Sequence, residues 1–290
     1  MSWIQNRKKP IQVQTTQSLT RSQGTIMGRS FGYATLGFVI MAALIAGLTC
    51  AWQFGIKNWT WNTYQGLSIG LTIGSFILTI TSAILAMFWQ GKLLTNQNAT
   101  AMTFLVWGFF IVGQAFSFSW LMFMLNNTVY INGNGKVIQL WWVCPAAFGL
   151  AAVLFGLMSI IGYSLGIKGQ LTVKKMMLVV GLIFAVMMFP MLIIMLMSIW
   201  MPWGMGTMYW LSFLMMLLFM FLLLLSIMSI IGDSKRCDQF AQMNVPEEQQ
   251  GIIVKNLSLI FGFSLLVEFV CLVWMLIWLI WQVMGISRRF

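Results

Sequence analysis

The chain has 290 residues, of which 60% are hydrophobic and only 7% charged, with a formal net charge of +11. Globular domains carry roughly a quarter charged residues, so a soluble fold is excluded, and apolar runs longer than the ~20 residues that cross a bilayer indicate a polytopic membrane protein. The sequence has no histidine, which removes imidazole metal ligands, histidine proton relays and every Ser–His or Cys–His nucleophile pair.

Residues 1–30 read as a polar, basic cytoplasmic tail. They are rich in Gln, Ser and Thr, carry Arg7, Lys8, Lys9, Arg21 and Arg29, and have no acid. The stretch has no apolar core near its start and does not read as a signal peptide. Residues 31–284 follow as a seven-helix membrane domain, with apolar segments near 31–53, 66–90, 100–125, 140–166, 175–200, 207–232 and 255–282. Residues 285–290 close the chain as a short basic tail. Trp52, Trp59, Trp61, Trp89, Trp141, Trp142, Trp200 and Trp203 fall near segment ends, as interfacial aromatics do. Asn132-Gly133-Asn134-Gly135 predicts a turn between the third and fourth segments. Pro190, inside the fifth, predicts a kink. Gly66, Gly70 and Gly74, with Gly149 and Gly156, predict close helix approach. The Met- and Phe-rich fifth and sixth segments read as lipid-facing and packing surface.

Basic residues set the orientation. The N-terminal tail, Lys92, Lys168, Lys174, Lys175, Lys235, Arg236 and Lys255 put 12 on one side, while Lys57, Lys136, Arg288 and Arg289 put 4 on the other. The rule that positive loops stay inside places the N-terminus in the cytoplasm and, after seven spans, the C-terminus outside, with the cell membrane as the location. The basic excess is therefore a matter of lipid and topology, and no nucleic-acid partner is implied. Cys50, Cys144, Cys237 and Cys271 form no CxxC pair and read as small buried hydrophobes.

The five acids are Asp233, Asp238, Glu247, Glu248 and Glu268. Glu247 and Glu248 follow Pro246 and suit the first turn of a helix. Glu268 lies deep in the last apolar run, where a charge is expensive unless it faces protein or water or takes a proton. The last helix is therefore expected to be interior, with Ser264, Glu268 and Cys271 on one face. Asp233 ends the sixth apolar segment. If that helix continues past Asp233 to around Met243, Asp233 and Glu268 are expected at similar depth, facing each other.

Several motifs, in order, resemble those of the transmembrane Bax inhibitor motif family and its bacterial calcium-leak members. Gly232-Asp233-Ser234-Lys235-Arg236 is similar to the family's sixth-helix end. Ser264-Leu265-Leu266-Val267-Glu268-Phe269-Val270-Cys271-Leu272 resembles its last helix, with Glu for Asp and Cys for Asn. Asn98-Ala99-Thr100-Ala101 leading to Gly113 and Ser117 looks like its third helix, and Phe155-Gly156-Leu157 with the basic loop Lys168–Lys175 like its fourth. The resemblance implies a last helix at the centre of two three-helix layers, and a calcium leak gated by protonation of the paired acids. It also implies a cation after the second helix latching the acid of helix 6, a place that Lys92 holds here.

The resulting expectation is an all-α, seven-span monomer in the lipid bilayer that acts as a pH-sensitive calcium or cation leak channel. Asp233 and Glu268 form its gate and a weak calcium site, Lys92, Ser264 and Cys271 line the latch or pathway, and no resident cofactor is needed beyond transient calcium. Two carboxylates in low dielectric cannot both ionise cheaply, so the pair would share a proton. The alternative is a non-conducting membrane regulator or assembly protein whose acids serve helix packing. No enzyme is expected: an intramembrane aspartyl protease wants G-x-G-D, and Ile230-Ile231-Gly232-Asp233 lacks the first glycine.

Overall fold

The computed structural model describes residues 25–55, 61–95, 99–127, 129–131, 137–198, 205–244 and 247–286. Seven helices long and apolar enough to cross a membrane account for nearly all of them. They are α1 (Thr25–Gly55), α2 (Trp61–Leu94), α3 (Thr100–Asn127), α4 (Val143–Ser164), α5 (Ile167–Ser198), α6 (Met205–Asn244) and α7 (Glu247–Ile286). Between α3 and α4 a small antiparallel hairpin pairs β1 (Val129–Ile131) with β2 (Val137–Gln139). The Asn-Gly turn expected at 132–135 lies outside the described residues, but its flanking strands pair as such a turn requires.

The helices fall into two groups of three, α1–α3–α2 and α4–α6–α5, and α7 runs between them, packed on α1 and α2 of one group and α4 and α6 of the other. In α7, 44% of the most apolar stretch is buried, the highest share of any span, against 6% in α5. Aromatic rings on α7 explain the fit. Phe263 meets Trp89 of α2 and Trp107 and Phe110 of α3 at 5.5–5.7 Å between centroids, Phe269 meets Phe38 of α1 at 5.0 Å, and Trp274 stacks on Phe118 of α3 at 4.4 Å. Edge-on and stacked pairs of this kind add attraction beyond the area they bury. The fifth helix is peripheral, as its composition predicts. The sixth is not, since it touches α4, α5, α7 and α1.

Three boundaries differ from those of the apolar segments, and each difference has a cause. Helix α1 begins at Thr25, inside the expected tail, and Ile26 and Ser30 are buried. Helix α5 starts at Ile167, taking in Lys168, Lys174 and Lys175, whose long stems let the charge reach water from a helical backbone. Helix α6 runs on past Asp233 to Asn244, so its link to α7 is only residues 245–246. Polar side chains at these ends have partners on other helices, described below. Residues 1–24 and 287–290 lie outside the described residues.

Close helix approach uses other glycines than those expected. A Cβ at Gly66, Gly70, Gly74, Gly149 or Gly156 would meet nothing within 4 Å. At Gly262 it would meet the Ser30 carbonyl oxygen at 2.9 Å, and at Gly162 the Met228 backbone at 3.0 Å. Those two positions bring α7 onto α1 and α4 onto α6 at backbone distance, which a four-residue spacing within one helix does not report.

Candidate functional site

Glu268 occupies the middle of the apolar stretch Gly251–Met284 of α7. Leu265, Leu266, Leu272 and Val273 around it in sequence are buried in the core, so the helix turns no face wholly to lipid. Ser226 of α6 donates its hydroxyl to Glu268 Oε1 at 2.5 Å. Glu268 Oε2 is buried and has no hydrogen-bond partner. Ser264, one turn before, donates back to the Ile260 carbonyl at 3.1 Å, four residues earlier on its own helix. Cys271, one turn after, is a half-buried free thiol. Cys144 is buried as expected, whereas Cys50 is exposed.

Asp233 is held elsewhere. Its Oδ1 pairs with Lys174 Nζ of α5 at 2.8 Å, with both side chains partly exposed. Ser226, the partner of Glu268, lies seven residues before Asp233, which at the helical rise is about 10 Å along α6. The two acids thus stand two turns apart in depth, each with its own partner. Helix α6 does continue past Asp233, as the facing arrangement required, but the continuation does not bring the acids together. In place of the shared gate and calcium site expected of Asp233 and Glu268, the structure gives each acid a separate partner, Lys174 for Asp233 and Ser226 for Glu268. Among the described residues, no three acids or cysteines gather to hold a metal ion.

Lys92, expected as the latch, is exposed at the end of α2, and the cation on Asp233 comes from α5. The neighbouring basic residues also bind backbone. Lys235 Nζ donates to the Tyr163 carbonyl at 3.0 Å and lies 4.8 Å from the centre of the Tyr163 ring, while Arg236 reaches the Ile167 carbonyl at 3.4 Å. Lys235 thus meets a carbonyl in the last turn of α4 that has no partner within the helix, whereas Arg236 reaches the first residue of α5.

The acid that sequence reasoning passed over is Asp238. It is 2% exposed, and its Oδ1 accepts the backbone N–H of Ile26 at 3.1 Å. A carboxylate from α6 thereby caps the N-terminus of α1, where free N–H groups and the helix dipole favour negative charge. Asn256 of α7 does the converse for α2, donating to the Leu93 carbonyl at 3.2 Å. In the opposite half of the bundle, Gln114 of α3 accepts from Trp274 of α7 at 2.9 Å and donates to Thr79 of α2 at 3.1 Å. An N-capping Asp is a legible signal only when it precedes its helix. Here the cap comes from 212 residues further along the chain.

Fold and site together define an integral membrane protein of seven helices with a single carboxyl near mid-bundle. Compared with known proteins, the chain matches no family model, and no curated protein or solved structure is significantly similar to it.

Proposed function

We propose that the chain is a pH-sensitive cation leak pathway, with calcium as its candidate cargo. In this reading Glu268 is the group that exchanges a proton for a cation, and the Lys174–Asp233 pair is a latch between α5 and α6. One observation carries the reading: a carboxyl in the middle of the central helix has one oxygen bonded to a hydroxyl and the other bare. Folding alone does not require such a group, since ionisable residues inside a membrane bundle are expensive and commonly mark ion or proton pathways. Gaining a proton removes one negative charge from the middle of the bundle. Losing it offers an oxygen ligand to a hard cation, and one ligand is weak enough to let the cation leave. At the rim, Lys174 neutralises Asp233; separating them would free a second carboxylate at the entrance.

The motif order that resembles the transmembrane Bax inhibitor motif family supports the same reading, with the latch moved from Lys92 to Lys174. The 12 to 4 basic asymmetry supports a cytoplasmic N-terminus and an external C-terminus, which would put the latch on the cytoplasmic side and let cytosolic pH act on it. The test is calcium entry into proteoliposomes measured as pH is varied across the neutral range. Wild type should conduct with a pH-dependent rate, and Glu268→Gln should flatten that dependence. Absence of calcium flux at every pH would sink the proposal.

A second reading, a non-conducting regulator or assembly protein, has its own observation in favour. Asp233, Asp238 and Asn256 each tie one helix to another, as packing residues do. It predicts no flux that depends on any of these side chains.

A further inference from the structure

On the face where α1 and α3 meet over α7, the helices leave a recess of about 520 Å³, within the range of sites that hold one small ligand. Its walls are apolar, with Leu36 and Ile40 from α1 and Phe104 and Ile111 from α3. Lys255 and Asn256 of α7 close one end. The recess extends along α3 from Thr100 to Val112, which at the helical rise is about 18 Å. One leaflet of a bilayer has a hydrocarbon depth of roughly half of ~30 Å. The recess is therefore one leaflet deep and begins at the helix ends on the side of the basic loops.

We propose that this recess is a binding site for one anionic phospholipid of that leaflet, with an acyl chain lying between α1 and α3 and the headgroup phosphate at Lys255. Charge decides the class of occupant. Lys255 is exposed at the mouth, it belongs to the side that bears 12 of the 16 basic residues, and none of the acids lines the recess. Asn256 is spoken for by the Leu93 carbonyl, and Lys255 is the cation among the lining residues. A smooth helical surface exchanges its lipids freely. This surface instead has a floor on a third helix, so a chain seated there is gripped on three sides. The floor is built at Gly37, where an added Cβ would meet Leu266 and Trp107 at 2.9 Å, whereas a Cβ at Gly108 would meet nothing within 4 Å and grow into open recess. The site is independent of cation flux and would stand if the chain conducted nothing.

The test uses full-length protein in detergent, titrated with phosphatidylglycerol or with phosphatidylcholine of the same acyl chains, and read by native mass spectrometry. Wild type should retain one phosphatidylglycerol in preference to phosphatidylcholine. Lys255→Gln should weaken phosphatidylglycerol by about fivefold, the worth of one lysine near an anionic headgroup, and leave phosphatidylcholine unchanged. Gly108→Leu should abolish the retained lipid of both kinds by filling the recess. Leucine is the better helix former, so this variant is expected to fold. Equal retention of the two lipids by wild type, or undiminished phosphatidylglycerol on Gly108→Leu, would overturn the proposal. So would a wild-type dimer that Gly108→Leu dissociates while the lipid count stays the same, since a second copy would then be the occupant.

Discussion

Asp238 and Glu268 are both buried carboxyls in opposite settings. Each has one oxygen that accepts and one buried oxygen with no hydrogen-bond partner. Asp238 meets the first turn of α1, where backbone N–H groups and the positive end of the helix dipole offset part of the cost of burying a carboxylate. Glu268 meets a serine hydroxyl halfway along a helix, away from either helix end, and no ion pair to it is found among the described residues. The first acid completes the fold. The second is a cost that the fold tolerates, and a cost retained at the centre of a bundle is where function is sought.

If that distinction is right, the largest stability loss should come from the cap. Asp238→Ala should destabilise the protein by about 2 kcal/mol, combining a lost N-cap with a lost charge–dipole contact, as read from unfolding in mixed micelles. Asp238→Asn keeps an acceptor for Ile26 and should lose about half as much. Asn256→Ala, which leaves the Leu93 carbonyl without its donor, should cost about 1 kcal/mol. A loss at Asn256 larger than at Asp238 would show that charge at a helix end matters less here than a neutral bond in the core.

The lysine latch should come lower. The Lys174–Asp233 pair is partly exposed on both sides, and pairs in that setting are worth no more than about 0.5 kcal/mol once screening and side-chain entropy are counted. Lys174→Ala should therefore leave unfolding nearly unchanged, and the little it costs should vanish at high salt. Under the proposed function the same variant should raise calcium leak in proteoliposomes, because Asp233 is released. A variant that is both much less stable and unchanged in leak would assign the pair to packing.

Much of this was legible beforehand, and the residues show why some was not. Hydropathy reports which stretches leave water, so seven spans and their order could be read directly. A lone acid in an apolar run must face protein, so the interior position of α7 followed from Glu268. Hydropathy says nothing about helix ends, however. Residues 233–244 are polar and still helical, because Asp238, Lys235 and Arg236 find partners on α1, α4 and α5. Such partners are far apart in sequence, and the choice of Lys174 over Lys92 for Asp233 depends on which helices are neighbours. Distance to a turn, on which the expected facing pair of acids rests, carries no information about rotation or axial shift between two helices.

The expected stability change at Glu268 is centred on zero, and it is the one that separates the two acids. Glu268→Gln keeps the size of the side chain and an oxygen for Ser226, and removes the group that ionises. The amide places a neutral donor where a bare carboxyl oxygen lay, so one imperfectly satisfied group replaces another, and the change should stay within about 1 kcal/mol of wild type in either direction. Neutralising a buried acid often costs nothing, whereas losing a cap does not come free. A loss at Glu268→Gln as large as that at Asp238→Ala would mean that the central carboxylate is a structural anchor, and the comparison would collapse. Stability kept while the pH dependence of calcium leak flattens would mean that the charge at mid-bundle serves conduction. Stability kept with no leak in any form of the protein would leave the acid as a packing relic and favour the regulator.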